Sequence, residues 1–278
     1  MTHRASLARD GAEHAHDCAE GCNLQYQAAN CLAHVENAWR LVYERYVGSG
    51  LITPNPYGIY TSPRALHGDS CVVFGQCRDS GHLTSTMTLI GDSPEGLSLD
   101  TVYRRELKAL RKRGSLLEVG LLVAECRATV SRDITALFEL MKWGVYYALD
   151  FGVTDIVIGV HPRHAKFYTR WFGFEQFAPA GVYPMVRNKP VVPLRLPVKE
   201  KLAQAALPRG LGHVRDNPVH GDAFTRRYRL RPQELLGSLI GHFMTHKHGD
   251  HWSHHPLSRP HPQPQPQPQP VMAAAQLV

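Results

Sequence analysis

Apolar and polar segments alternate in the middle of the chain and predict strand, helix, strand and helix in that order. The first strand, Leu116–Val123, is apolar apart from one glycine and one carboxylate, Glu118. The next segment has an apolar face that recurs with the 3.6-residue period of a helix. Asp155–Val160 is a short apolar run typical of a central strand, and Pro162 suits the first turn of another helix. The order predicts a parallel β-α-β unit at the core of an α/β domain.

The segments on either side of this unit predict further strands and helices of the same domain. A helix is expected to end at Val47, and two antiparallel strands are expected over Ser70–Arg78 and His82–Ile90. Leu99–Lys112 predicts an amphipathic helix. Pro190–Val198 predicts an edge or bulged strand, because it carries three prolines. We therefore expect a mixed central sheet flanked by helices.

Composition divides the chain into four parts. Residues 1–34 are polar and lack periodicity, so we expect them to be disordered or loosely ordered. Residues 35–200 hold the predicted domain, and residues 201–240 predict a helical appendage. Residues 241–278 are rich in His and then in a Pro-Gln repeat, which is typical of an extended, disordered tail.

Charge and hydropathy narrow the class of protein. The chain has 278 residues, of which 43% are hydrophobic, enough for one substantial core. No apolar run is long enough to cross a bilayer and the N-terminus lacks the apolar centre of a secretory signal, so we expect a cytoplasmic protein. The formal net charge of +7 favours an acidic partner. The Lys and Arg clusters lack interleaved aromatic residues, which argues against nucleic acid.

The Cys and His residues do not predict a metal site. Those near the N-terminus match none of the usual paired zinc-ligand spacings, so no metal ion is expected. Cys71, Cys77 and Cys126 lie in or beside apolar strands and are expected to be buried thiols.

The central segments are similar in sequence to the GNAT-type N-acyltransferases. The strand "EVGLLVAE" is followed by "LFELMKWGVYYALDFGVTDIVIGVHPRHAKFY" and then by "GFE". More narrowly, residues 38–198 resemble the acyl-carrier-protein-dependent N-acyl amino acid synthases, relatives of the autoinducer (acyl-homoserine lactone) synthases. The resemblance implies a sheet in which two parallel strands splay apart and admit the pantetheine arm of an acyl thioester.

Acyl transfer from a thioester to an amine needs a base and a group that stabilises an oxyanion. Glu118 is the candidate base, because burial on an apolar strand would raise its pKa towards neutrality. The alternative is a salt-bridged, structural Glu118. The backbone N–H groups of Leu121, Leu122 and Val123 are the candidate oxyanion donors.

The resemblance also implies where the substrates bind. It places the first helix beside the substrate site, so Arg40 and Arg45 are candidates for binding a carboxylate. Solvated charges on an amphipathic helix are the alternative for both. On the helix after the second parallel strand, Phe167 and Tyr168 are predicted to contact the substrate.

The donor is predicted from a loop that this chain lacks. Ordinary GNAT enzymes follow the Glu-bearing strand with a Gly-containing loop, whose amides bind the pyrophosphate of coenzyme A. Here the equivalent "AECRATVSRD" contains no Gly. The acyl-phosphopantetheine of acyl carrier protein has a single phosphate, which Arg127 and Arg132 could meet. We therefore expect this arm as the donor and no bound cofactor.

A strongly basic helix predicts where the carrier protein docks. Its cations, with one acid in the body of the helix, include Arg104, Arg105, Lys108 and Arg111. A solvated helix face is the alternative.

These features together predict an N-acyl amino acid synthase that joins a long-chain fatty acyl group to the amine of an amino acid. The autoinducer synthases carry an Arg three residues after the Glu, where this chain has Leu121. Their earlier Arg-Leu-Leu-Pro-Thr appears here as "TLIGD". Two alternatives stay open: another acyltransferase of this fold, including an autoinducer synthase, and a non-catalytic GNAT-fold module that binds lipid or protein. We also expect peripheral membrane contact during product release.

Overall fold

The computed structural model describes residues 23–248 except 68, 125–129, 205–206, 213, 215–221 and 236. The helices are α1 Leu32–Gly48, α2 Asp100–Arg111, α3 Val130–Asp150, α4 Pro162–Phe172, α5 Val198–Leu202, α6 Asp222–Thr225 and α7 Leu239–His248. The strands are β1 Leu24–Ala28, β2 Cys71–Cys77, β3 Leu83–Gly91, β4 Leu116–Ala124, β5 Asp155–Val160, β6 Glu175–Gln176, β7 Gly181–Tyr183 and β8 Lys189–Pro197. Short 3-10 turns lie at Pro63–Leu66, Pro184–Val186, Arg209–Leu211 and Pro232–Leu235.

The strands form one mixed sheet in the order β1-β2-β3-β4-β5-β8-β6, with β7 paired to β8. β4 and β5 are parallel, and the other pairs are antiparallel. The β4-α3-β5-α4 order confirms the predicted unit, and α4 ends at Gly173, whose positive φ of 75° suits a glycine. Chain order and parallel pairing together put the β4–β5 seam in the middle of the sheet.

Helices cover both faces of the sheet. α1, α2 and α7 share one buried cluster, which includes Trp39 and Phe243. α3 and α4 share the cluster on the other face, which includes Tyr168. Successive β4 residues alternate between these clusters, with Leu116 in the first and Leu117 in the second. Among the described residues, no helix has both the length and the apolar character needed to cross a bilayer.

Two predicted boundaries were wrong. Leu24–Ala28 forms strand β1 on the edge of the sheet, although we expected residues 1–34 to be loosely ordered. At the other end α7 runs to His248, past the expected start of a disordered tail at 241. Its apolar residues Ile240, Phe243 and Met244 are buried. These three apolar residues were missed because the segment around them is rich in His. Residues 249–278 lie outside the described part of the chain.

The cysteines only partly follow the expectation. Cys71 is a buried free thiol, as predicted. Cys77 is disulfide-bonded, which corrects the prediction that it is a thiol. Cys126 lies outside the described residues. Spacing along the sequence does not identify disulfide partners, which is why the bond at Cys77 was missed.

Candidate active site

The parallel strands β4 and β5 separate part-way along their length. They pair over Leu116–Val119, whereas β4 continues to Ala124 and β5 to Val160. A Cβ at Gly159 would lie 2.8 Å from the side chain of Leu99 and 2.9 Å from that of Val191, so a larger residue beside the opening would displace both side chains. The predicted splay is therefore confirmed.

A pocket lies where the two strands separate. Its wall is apolar except for four tyrosines, two serines and one carboxylate. The lining residues are Tyr46, Tyr60, Ser62, Ile90, Ser98, Glu118, Val119, Gly120, Leu121, Leu122, Ile158, Gly159, Tyr168, Tyr183, Met185 and Val186. An apolar pocket with a few convergent polar groups is the usual form of a small-molecule site.

Glu118 is the ionisable acid of this pocket, and it is only 3% exposed. Its Oε2 accepts a hydrogen bond from the N–H of Leu99 at 3.1 Å, and the carboxylate also accepts from the N–H of Ser98. Burial raises the pKa of Glu118 to about 7, and these two hydrogen bonds oppose part of that rise. No ion pair formed by the described residues includes Glu118. Both of its protonation states are therefore populated near neutral pH.

An ion-pair network holds the start of α2 against Glu118. The guanidinium of Arg111 contacts Asp92 through Nε and Asp100 through Nη2, each at 2.6 Å. Oδ2 of Asp100 in turn accepts a hydrogen bond from the N–H of Leu97 at 2.6 Å. Because this network fixes the first turn of α2, it positions the two amides that bind the Glu118 carboxylate.

β4 carries a bulge just beyond Glu118. The register with β3 places two residues, Leu121 and Leu122, opposite Met87 alone. Leu121 has a φ of +49°, a conformation that costs a bulky residue about 1–3 kcal/mol. The N–H of Leu122, at the bulge, acts on the Tyr46 hydroxyl and opposes part of the rise that burial causes in the pKa of Tyr46. A backbone donor thus reaches the pocket wall.

Two further tyrosines present hydroxyl groups at the pocket. Tyr168 is fully buried, and its hydroxyl has no partner among the described residues. The hydroxyl of Tyr183 hydrogen-bonds the side chain of Ser98, beside Glu118. Burial raises the pKa of both tyrosines, so both are neutral and can donate a hydrogen bond.

Arg64 supplies positive charge to the site. Its charge lowers the pKa of both Glu118 and Asp100. It lies on the 3-10 turn that begins after the pocket-lining Ser62, whose Oγ accepts from the N–H of Ala65 at 3.4 Å. The Arg64 Nε is buried without a hydrogen-bond partner in the described part of the chain. The sequence did not reveal Arg64, because a cation in an aperiodic loop has no pattern to distinguish it.

Residues 37–197 match the model of the family described as N-acyl amino acid synthase FeeM. The chain belongs to this family. It is therefore an acyltransferase of the N-acyl amino acid synthase type. No curated protein sequence shows significant similarity to it.

Solved structures share the fold of this FeeM-family chain. FeeM, an N-acyl amino acid synthase from uncultured soil microbes, is 23% identical with a TM-score of 0.57, covering 66% of this chain and 94% of its own. The coenzyme A-dependent acyl-homoserine lactone synthase BjaI is 14% identical with a TM-score of 0.50, covering 73% and 98%. An acyl-CoA N-acyltransferase from Pseudomonas aeruginosa is 13% identical with a TM-score of 0.42, covering 62% and 99%. The GNAT-like fold predicted from the sequence is confirmed.

The pocket of this FeeM-family enzyme brings together four of the residues predicted from sequence. Glu118, Leu121, Leu122 and Tyr168 all line it. Val123 is back in register with β3, beyond the bulge. The other tyrosines and serines of the wall come from segments distant along the chain, and no sequence pattern linked them to β4.

The remaining predicted substrate residues lie elsewhere. The ring of Phe167 packs 6.2 Å from that of Phe138, between α3 and α4, and does not line the pocket. Arg40 is exposed and Arg45 is half-buried, and neither lines the pocket. Arg127 and the side chain of Arg132 lie outside the described part of the chain.

The predicted docking residues on α2 fall into two groups. Arg104, Arg105 and Lys108 are exposed. Arg111 instead uses its guanidinium in the network with Asp92 and Asp100. Three of the four cations thus face solvent, and the fourth supports the active site from within.

Proposed function

We propose that this FeeM-family enzyme transfers a long-chain fatty acyl group from the phosphopantetheine arm of acyl carrier protein to the amine of an amino acid. Glu118 is the main support: a buried carboxylate with a pKa of about 7 lies in the pocket where β4 and β5 part. A thioester in that opening would have its carbonyl carbon beside the carboxylate, where an incoming amine needs a base.

In the proposed reaction Glu118 acts on the amine. The acceptor arrives as an ammonium ion, loses a proton to Glu118 directly or through water, and its nitrogen attacks the thioester carbonyl. The C–N bond forms and the C–S bond breaks, and the tetrahedral intermediate loses the second nitrogen proton. One proton ends on the departing thiol and one is released to solvent. A pKa of about 7 lets Glu118 accept and release protons at neutral pH.

Groups at the bulge are proposed to stabilise the other charges. The Tyr46 hydroxyl lies at the bulge beside the N–H of Leu122, and as a neutral phenol it can donate a hydrogen bond to the oxyanion of the intermediate. The Tyr168 hydroxyl, buried and without a partner among the described residues, can donate to the sulfur as the thiol leaves. A thiol is a good leaving group, with a pKa of roughly 8.5, so this donor contributes less than the base.

Arg64 is proposed to bind the carboxylate of the acceptor. An amino acid holds its carboxylate one carbon away from its amine, so a cation near Glu118 is needed. Arg64 acts electrostatically on Glu118 and has a buried Nε without a partner in the described residues. Arg64, like Arg40 and Arg45, does not line the pocket, but among these three arginines it is the one whose charge acts on Glu118.

The carrier protein is proposed to dock on the exposed cations of α2. Arg104, Arg105 and Lys108 face solvent on the helix whose first turn holds Glu118. Carrier proteins are acidic, and complementary charge speeds and orients such encounters. On this proposal, Arg127 and Arg132 meet the single phosphate of the arm.

A donor comparison tests the proposed function. Purified enzyme is given long-chain acyl carrier protein, long-chain acyl-coenzyme A or acetyl-coenzyme A at equal concentration, with a panel of amino acids, and N-acyl products are quantified by mass spectrometry. We expect efficient transfer from the acyl carrier protein and almost none from acetyl-coenzyme A. Efficient acetyl transfer would overturn the proposed donor, and acylation of S-adenosylmethionine instead of amino acids would indicate autoinducer chemistry.

A further inference from the structure

Helix α7 (Leu239–His248) lies outside the matched family segment, residues 37–197, yet it packs into the same core as the pocket wall. Ile240, Phe243 and Met244 are at most 2% exposed. The N–H of Leu239 also donates to Oε1 of Glu36 on α1 at 3.2 Å. α7 is therefore an integral part of the α1–α2 face of the domain.

α7 holds the ring of Tyr60, which lines the pocket. The Phe243 ring meets it edge-on, with centroids 6.2 Å apart. The Nζ of Lys247 lies 4.2 Å from the centroid of the Tyr60 ring and 5.4 Å from that of Phe243, within the range of a cation–π interaction. No ion pair in the described part of the chain includes Lys247, and its ammonium group lies against the two aromatic rings.

The opposite end of Tyr60 is fixed by hydrogen bonds. Its hydroxyl donates to the backbone oxygen of Met185 at 2.7 Å, and Met185 also lines the pocket. Its backbone N–H donates to the oxygen of Trp39 at 3.2 Å. Because its hydroxyl is hydrogen-bonded and its ring packs against α7, Tyr60 holds a fixed position in the pocket wall.

This section of wall lies on the side from which the acceptor approaches. Leu116 faces the α1–α2 cluster, and strand alternation puts Glu118 on the same face, where it accepts the N–H of Leu99 at the start of α2. An amine that gives its proton to Glu118 must occupy that face. Tyr60 belongs to the same cluster, so it borders the acceptor rather than the far side of the sheet.

We propose that α7 determines acceptor selectivity: Phe243 and Lys247 act as positioning residues that fix Tyr60 and thereby set the shape of the space for the amino acid side chain. The inference rests on the proposed function, since it assigns the amine acceptor to this face. The ligand class is an α-amino acid whose side chain packs against the Tyr60–Met185 wall.

The test uses full-length Lys247→Met, Lys247→Arg and Phe243→Leu, with Thr245→Ala as the matched control. Thr245 is exposed on the same helix, and among the described residues its hydroxyl bonds only the oxygen of Gly241. Steady-state kinetics with acyl carrier protein donor and L-tyrosine, L-leucine or glycine gives KM and kcat for each acceptor, and calorimetry gives the Kd for each free amino acid. Urea unfolding confirms that each variant is folded.

We expect Lys247→Met to raise the KM and Kd of the preferred acceptor about twofold to fivefold, the range of a cation–π contact at an exposed site such as Lys247. Its kcat and its KM for the donor should stay within about twofold, and the preference among the three acceptors should shrink. Lys247→Arg, which keeps the positive charge, should keep the acceptor KM and the preference among the three acceptors close to those of the wild type. Phe243→Leu should resemble Lys247→Met. Equal selectivity in Lys247→Met and Thr245→Ala, in an enzyme that does transfer acyl groups, would overturn the role of α7 and leave the proposed function standing. A wild-type chain that neither acylates nor binds any amino acid would overturn both.

Discussion

Glu118→Gln separates a catalytic from a structural carboxylate, because the two roles predict opposite effects on stability. As the base, Glu118 should be needed for turnover, and its loss should lower acyl transfer by a factor on the order of 10²–10⁴. Gln keeps an oxygen that can accept the N–H of Leu99. The variant should therefore stay folded while losing activity.

The magnitude follows from the pKa. Burial raises the pKa of Glu118 from 4.5 to about 7 in the folded protein, and each pKa unit is worth roughly 1.4 kcal/mol. The folded state binds the proton more tightly than the unfolded state, so protonation stabilises the fold below about pH 4.5. That stabilisation of roughly 3 kcal/mol is lost as the pH rises through about 7. Relative to wild type, Glu118→Gln should thus gain up to about 3 kcal/mol between pH 4.5 and pH 8.

Urea unfolding of wild type and Glu118→Gln at several pH values between 5 and 8 measures this gain directly. The rate of acyl transfer over the same range should rise through about pH 7 in the wild type and lack that rise in the variant. Glu44→Gln, which changes an exposed carboxylate on α1, is the control and should alter neither profile. A Glu118→Gln protein that is less stable than wild type at pH 8, with normal turnover, would refute the assignment of Glu118 as the base.

Three further predictions concern the donor, the support of α2 and the acceptor. Reversing the charges of Arg104, Arg105 and Lys108 should weaken use of acyl carrier protein, with a less salt-sensitive encounter, and should spare a small pantetheine thioester. Arg111→Ala, which removes the support of α2, should impair both donors alike, and a selective carrier defect in that variant would contradict its internal role. Arg64→Gln should raise the KM for an amino acid about tenfold or more but hardly affect the decarboxylated amine, because a charge-assisted contact to the carboxylate is lost. Equal losses for both acceptors would exclude carboxylate binding by this residue.

The parts of the fold that repeat a local pattern were predictable from the sequence. β4 and β5 are continuous apolar runs and α3 has an apolar face of helical period, and the order of these elements implies a parallel pair with a crossover. Glu118 was identifiable because a lone carboxylate contrasts with an apolar strand. These inferences depend on neighbours along the chain, so they needed no knowledge of tertiary contacts.

Residues whose role depends on distant partners were not predictable in this way. In the sequence Arg111 cannot be distinguished from the other cations of a basic helix. Only the tertiary contact shows that it forms an ion pair with Asp92. Tyr60 and Tyr183 meet at one pocket from segments far apart in the chain. The α7 stripe of three apolar residues is too short to stand out in a His-rich segment. In each case the deciding contact joins residues with no periodic relation in sequence.

Two features that lower the stability of this protein lie where β4 separates from β5. Glu118 is buried there at a cost of roughly 3 kcal/mol when ionised, and three residues later Leu121 adopts a left-handed φ at about 1–3 kcal/mol. Neither feature improves packing, since apolar and regular strand residues would fill β4 equally well. Both place functional groups in one pocket: a carboxylate with a pKa of about 7, and the backbone N–H of Leu122 beside the Tyr46 hydroxyl. If the chain had kept the fold without catalysis, neither the buried Glu118 nor the left-handed Leu121 would benefit it. Their presence therefore argues for catalysis rather than for a non-catalytic binding module.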